Sequence, residues 1–443
     1  MDSAQRQALA ERVLALSSAD QTEVTVSREN AELTRFTHQD IHQNVSRTDV
    51  GVSVRAIVGQ RTGAAGTNLL DDKSLQATVA RAIEMAKLAP EDPGIAPLPA
   101  GGPASAPPGA YVRATADASP ELRAQMCDAI FKVAEKDRFW CAGFVRTQSS
   151  GYTVANSAGA RASFDGTDSG VNVKMNAADS TGYGQWYVND VSQLDAHGIA
   201  EVAAAKARNS ADPRGVDPGD WTVIMEPAAF GEFFAYLGQH FSAQSFDEGS
   251  SFLSDGLDKR YFGENVTIVD DYANPLAPSM PFDFEGQPKQ RVTLVEDGVA
   301  KTVVTDSYWG KKLGRENTGH ALPAPNAYGP QAIDLAISPG SKSLEQLISE
   351  TKRGLLISRF WYIRTVDQKK AIVTGMTRDG TFLIENGKVG HGVRNMRFNQ
   401  SILGALSECE FSNQPKRTGD YWFSLVVPAA KIAKFSFTSG TQF

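Results

Sequence analysis

Between Ala89 and Ala110 the chain carries Pro90, Pro93, Pro97, Pro99, Pro103, Pro107 and Pro108, interspersed with glycine. Each proline removes a backbone donor and fixes φ, so neither a helix nor a central strand can persist through this stretch, and it reads as a linker. At 443 residues the chain is also too long for one ordinary hydrophobic core. A further break falls between Asp212-Pro213 and Pro218-Gly219. The expected organisation is α+β, with an N-terminal α/β domain at 1–88, the linker at 89–110, a central α+β domain at 111–215 and a C-terminal β-rich domain at 216–443.

Periodicity fills in these units. Leu9, Val13 and Leu16 recur at helical spacing, while Thr22–Val26 and Val50–Ile57 alternate as half-buried strands do. Asp71 or Asp72 can cap a helix running to about Leu88, and Ser119-Pro120 is a helix start with serine at the cap and proline at the first position. Strands follow at Trp140–Thr147, Tyr152–Asn156, Arg161–Phe164, Gly170–Met175 and Gly184–Val188, with a hairpin turn at Asn156–Gly159. An alanine-rich helix spans Ile199–Arg208. The third unit opens with a strand at Trp221–Met225 and a strongly apolar helix from Pro227 to about Phe241. Beyond it, strands and loops predict a large, twisted, partly closed β structure ending in Phe423–Val427 and Lys434–Phe437.

Composition narrows the function classes. A net charge of −7 with interspersed signs offers no basic stripe for a phosphate backbone, so direct nucleic-acid binding is disfavoured. Cys127, Cys141 and Cys409 are widely spaced and form no C-x-x-C pair, which suits a reducing compartment and provides no zinc knuckle. The N-terminus lacks the pattern of a signal peptide, and no stretch approaches the length of a membrane span. The expectation is a cytoplasmic protein.

Several blocks carry a resemblance. Pro281–Gly286 is followed by Val292–Val299 with a hairpin signal at Asp297-Gly298, then Asp306-Ser307-Tyr308, Lys312-Leu313-Gly314 and Asn317–Ala321. With Arg378–Val389 and the early block Asp49–Gly66, these segments resemble the TldD/PmbA family. The resemblance implies a three-part architecture whose C-terminal domain builds a chamber for extended peptides. It also implies chemistry. In the family's catalytic branch a helix carries His-Glu-x-x-x-His and a later cysteine completes a zinc site, where the glutamate takes a proton from zinc-bound water. The equivalent helix here reads Ala235-Tyr236-Leu237-Gly238-Gln239-His240. Ala235 and Tyr236 stand at the histidine and glutamate positions, leaving His240 alone, and the context of Cys409 does not match. The resemblance therefore points to the TldE/PmbA-like branch: no catalytic residues, no metal held by this chain, and zinc in a TldD-like catalytic partner. When isolated the chain could pair with itself. A self-sufficient peptidase with an unrecognised site, or a peptide-binding regulatory protein, is the alternative.

Candidate peptide contacts are His320, which reads first as a structural loop histidine and alternatively as a side chain presented to a cavity, and Phe360, Tyr362 and Arg364, in the alternating aromatic and basic stretch Ser358–Arg364. That stretch reads either as aromatic core with exposed arginines or as a strand edge that pairs with an extended peptide. Asp270-Asp271 and Asp283 with Glu285 read as a solvated turn and an alternating strand face rather than as paired acid/base carboxylates.

Overall fold

The computed structural model describes residues 1–419 and 424–441. Helix α1 (Ser3–Ala15) starts at a capping box in which Asp2 and Gln5 bond reciprocally. Strands β1 (Gln21–Thr37) and β2 (Asp40–Val58) then run antiparallel from Gln21↔Ile57 to Thr37↔Asp40. His38 and Gln39 join them at φ 50° and 56°, the left-handed pair that a two-residue hairpin turn needs. Strand β3 (Arg61–Thr67) adds beside β2, and α2 (Asp72–Leu88), capped by Asp71, returns across it. After the proline-rich stretch come α3 (Arg113–Ala116) and α4 (Pro120–Lys136), capped by Ser119, then β4 (Trp140–Asn156), β5 (Arg161–Asn176), β6 (Thr181–Val188) and α5 (Ala196–Asn209).

These elements share a single six-stranded sheet of order β3-β2-β1-β4-β5-β6. Strand β4 pairs with β1 from Glu23↔Asn156 to Thr37↔Ala142 without a slip, so hydrogen bonding runs straight across the division that proline suggests. The proline-rich stretch is an ordered strap. Asp92 N–H donates to Gln60 O, Leu98 N–H to the Gln21 side chain, and Asn156 Nδ2 to Pro99 O, while Leu98 and Ala110 are buried.

One face of the sheet is covered by helices. Val24, Val26, Val52 and Val54 pack with Leu9, Val13, Leu75 and Val79, and Val145, Val171 and Val173 pack with Ile130, Val133, Ala200 and Ala203. The opposite face presents Tyr152, Val154 and Phe164 to Met280, Phe282 and Phe284 of the C-terminal part. Each large side chain so buried contributes roughly 1.5–3 kcal/mol as an upper bound.

The C-terminal part begins with β7 (Gly219–Met225), α6 (Pro227–Phe234), a tighter 3-10 run (Ala235–Phe241) and α7 (Ala243–Asp247). It continues through β8 (Ile268–Asp270), β9 (Val292–Glu296), β10 (Val299–Ala300), α8 (Ser307–Leu313) and β11 (Leu335–Ile337). Strands β12 (Arg353–Asp367), β13 (Ile372–Glu385), β14 (Lys388–Gly392) and β15 (Met396–Ser401) follow, then β16 (Cys409–Phe411), β17 (Lys416–Thr418), β18 (Leu425–Val427) and β19 (Ala430–Gly440). The strand expected over 423–427 is β18; Phe423 lies outside the described residues. The expected helix to Phe241 is α-helical only as far as Phe234.

One sheet has the order β10-β9-β8-β11-β18-β17. The other runs β12-β7-β19-β15-β13, and β13 pairs back to β12, closing a circuit of strands with β14 outside it. Phe360, Phe398 and Phe435 pack within 4.8–5.8 Å of one another, joined by Phe233 of α6, and all four are fully buried. No helix among the described residues is long and apolar enough to cross a membrane.

Candidate functional site

The sheet face that meets the C-terminal part is polar at both ends of its apolar centre. At one end Glu23 and Arg55, opposite each other in the β1–β2 register, meet Glu285: the Arg55 guanidinium lies 2.6 Å from Glu23 and 3.1 Å from Glu285. One cation serves two buried carboxylates, and burial pushes the Glu23 carboxyl up to about 7 even against that guanidinium. Asp306 nearby is raised to about 6, again by burial and then by Glu285. Asp283 accepts from the backbone N–H groups of Glu285, Gln287 and Ala321. Asp283 and Glu285 are thus interior groups that fix the Pro281–Ala321 loops, in place of the alternating strand face expected of them.

At the other end β5 and β6 meet β12 and β13. Asp379 accepts from Thr181 Oγ1 at 2.7 Å and lies 3.3 Å from Lys174 Nζ and 3.5 Å from Arg359 Nη1. The Arg359 guanidinium sits over the Tyr183 ring at 4.1 Å and 3.8 Å from Glu232. Glu232 is the lone charge on α6, and burial raises its carboxyl to about 7 despite Arg359 and the Phe360 N–H that donates to it at 2.8 Å. Sequence reasoning missed this constellation. A single glutamate within Phe230–Phe234 was the available signal, since a charge on an apolar helix needs a partner.

Glu232 and Tyr236 bear directly on the expected strand edge. Glu232 takes the N–H of Phe360, and the Tyr236 hydroxyl donates to Ile363 O at 2.6 Å. Those two main-chain groups of β12 are therefore already engaged by side chains of the chain itself. Phe360 is fully buried in the aromatic core, not on a chamber wall. Tyr362 and Arg364 are exposed, with the Arg364 guanidinium 4.2 Å over the Tyr362 ring.

His320 is also interior. Its Nε2 lies 3.1 Å from Asp270 and its Nδ1 2.9 Å from the Thr318 hydroxyl, and the His320 and Asp270 side chains are 0% exposed. Hydroxyl, imidazole and carboxylate in line have the outline of a nucleophile triad, but Thr318 Oγ1 donates to Thr305 O and the imidazole and carboxylate are closed to solvent. Burial raises the Asp270 carboxyl, yet His320 and Lys289 together hold it below its ordinary range. This is a buried network, completed by Lys289 with Asp334 at 2.7 Å, and it encloses the His320 ring. Asp270 is correspondingly not part of a solvated turn.

The residues at the zinc-motif positions do not fit the ion. Ala235 has no donor atom, and the Tyr236 hydroxyl is committed to Ile363 O. His240 is 1% exposed, its ring 5.0 Å from Phe252 and its Nδ1 without a partner among the described residues, and burial lowers its pKa to about 4. The Cys409 thiol lies beside Asn265 and Leu406 O and is pushed up to about 12 by burial, so the thiolate that binds zinc is disfavoured. Among the described residues no group of three His, Cys, Asp or Glu side chains is arranged to hold a metal.

Comparison with known proteins places the chain. The PmbA/TldA metallopeptidase domain 1 matches residues 22–86, the central domain residues 113–211 and the C-terminal domain residues 218–439. A Haemophilus influenzae metalloprotease PmbA homolog is 28% identical over 219 residues, 47% of this chain and 44% of the relative. A Saccharolobus solfataricus zinc metalloprotease TldD homolog is 24% identical over 206 residues, 43% of each. The chain thus matches less than half the length of these curated relatives. The crystal structure of TldE from Thermococcus kodakarensis has the same fold, with a TM-score of 0.88 at 21% identity over 99% of this chain and 100% of that one. With three successive domain matches that take in most of its residues, in the order of the blocks from Asp49 to Val389, the chain belongs to the TldD/PmbA family.

Proposed function

We propose that this chain is the non-catalytic, TldE/PmbA-like subunit of a heteromeric zinc metallopeptidase that acts on unfolded or extended peptides. The observation that carries the reading is the chemistry at positions 235, 236 and 240: an alanine, a tyrosine tied to Ile363 O, and an imidazole sealed against Phe252. The fold shared with TldE and the relatives named as metalloproteases support the same reading. In it, a TldD-like partner supplies zinc and general base, and this chain completes the chamber and orients the peptide. Tyr362 and Arg364 are the contacts it offers, because they are exposed where His320 and Phe360 are not.

Two measurements test this. Elemental analysis of the gently purified chain should give sub-stoichiometric zinc. Mixing the chain with a family member that has an intact His-Glu-x-x-x-His should produce or enhance chelator-sensitive cleavage of unfolded peptides, and Arg364→Ala should weaken that turnover while the mass of the complex stays the same. Robust chelator-sensitive cleavage by this chain alone would instead favour a self-sufficient peptidase.

A further inference from the structure

Beside the Arg359–Asp379 cluster a cavity of about 360 Å³ opens at the seam between the central and C-terminal parts, within the range of roughly 300–1,000 Å³ typical of ligand pockets. Lys174 and the 177–181 turn form one wall, Ser210 and Pro213 another, and residues 378–381 with 393–395 the third. Its charges are unevenly satisfied. Lys174 is spent on Asp379, which also takes Arg359 and Thr181. Arg378 and Arg394 have no carboxylate partner among the described residues: Arg378 lies over the Trp361 ring at 5.3 Å, and Arg394 Nε donates to Pro213 O at 3.2 Å. The hydroxyls of Ser210 and Thr381, on residues 8% and 1% exposed, line the same cavity and find no hydrogen-bond partner among the described residues. A buried hydroxyl left unbonded is costly, and two of them beside two guanidiniums without a carboxylate partner describe a recess suited to an oxygen-rich anion.

The geometry points to a carboxylate site, and we infer that it takes the free C-terminal carboxylate of an extended peptide. A guanidinium fork matches a planar carboxylate with two parallel bonds. Asp179 and Asp379 also line the cavity, so a doubly charged phosphate meets more repulsion there than a singly charged carboxylate. The inference deepens the proposed role, since it names the end of the peptide that this chain holds, but it concerns binding by the chain alone.

The test is fluorescence anisotropy of a labelled, unstructured peptide titrated with the purified chain, the peptide ending in a free carboxylate or in an amide. The free-acid form should bind about tenfold more tightly, as a charge-assisted forked bond provides. In the Arg378→Gln, Arg394→Gln double variant that preference should vanish while the amidated peptide binds as before. Both side chains lack ion pairs, so the variant should keep its thermal midpoint, and Thr381→Val should reduce the preference without touching any charge. Equal affinity for the two peptides, absence of binding, or a preference that survives the double variant would overturn the site. Displacement of the peptide by inorganic phosphate well below the acetate concentration needed would overturn the carboxylate assignment. If the preference is found but mixing with an intact family member yields no turnover, the subunit role fails and the site stands. Stimulated turnover without the preference removes the site and leaves the subunit role standing.

Discussion

His240 is an imidazole with one nitrogen facing nothing, and that makes it a pH liability. Its pKa falls from 6.5 to about 4 on burial, so the folded state resists the proton that the unfolded state accepts. The stability it permits is complete above pH 6.5 and is lost as pH falls toward 4. Relative to the parent chain, His240→Leu should therefore gain about 2–3 kcal/mol of stability at pH 4.5 over its value at pH 7.5, read from urea midpoints at the two pH values. Glu23 works in the opposite sense. Raised from 4.5 to about 7, it favours the folded chain in acid, and its contribution drains away as pH rises through that interval. Asp306 and Glu232, raised to about 6 and about 7, act with Glu23, so between pH 4.5 and 6 the three carboxyls together oppose the histidine and outweigh it.

The elements pack closely where side chains are smallest. Helix α5 buries Ala200, Ala203, Ala204 and Ala207, and β6 faces it with Gly182, where a Cβ would collide with the Ala203 carbonyl and the Ala207 amide. Backbone cannot step aside as a flexible side chain can, so Gly182→Val should cost about 3 kcal/mol in denaturant unfolding, at the upper end of overpacking penalties. Gly215→Ala, which meets nothing within 4 Å, should stay within about 0.5 kcal/mol. The same scale explains what sequence patterning could reveal. Thr22–Val26 and Val50–Ile57 alternate because one face meets helices, and they were legible as strands. Strand β5 was not legible whole, because the polar, glycine-containing run Asp165–Ser169 separates the two shorter strands expected at Arg161–Phe164 and Gly170–Met175. It is strand because Arg146 and Arg417, at 2.6 and 2.8 Å, neutralise Asp168 inside the seam, and Arg417 lies far away in sequence. The candidate site was obscured for the same reason. Glu232, Arg359, Asp379 and Lys174 belong to four elements, and only tertiary structure makes them neighbours. Aromatic spacing in Phe360 and Tyr362 could not distinguish inside from outside either, because Tyr362 has φ 57° and interrupts the strand's alternation.

At the scale of the whole molecule, the shared sheet alters what cutting the chain should do. A protease site inserted between Ser105 and Ala106 should yield fragments that co-elute on gel filtration after cleavage and part only in denaturant, because β1 and β4 remain zipped from Glu23↔Asn156 to Thr37↔Ala142. An N-terminal unit that eluted separately would mean that this pairing is dispensable. The closed strand circuit in the C-terminal part has a different consequence, one of timing. Strand β7 is the first of that part and β19 the last, yet they are neighbours, paired from Ala430↔Met225 to Phe437↔Gly219. As the polypeptide leaves the ribosome, β7 emerges about two hundred residues ahead of its mate, roughly ten to forty seconds at ordinary synthesis rates. Throughout that interval one edge of β7 and the phenylalanines around Phe435 have no lasting cover, so this part of the newborn chain depends longest on protection from other chains while it is being made.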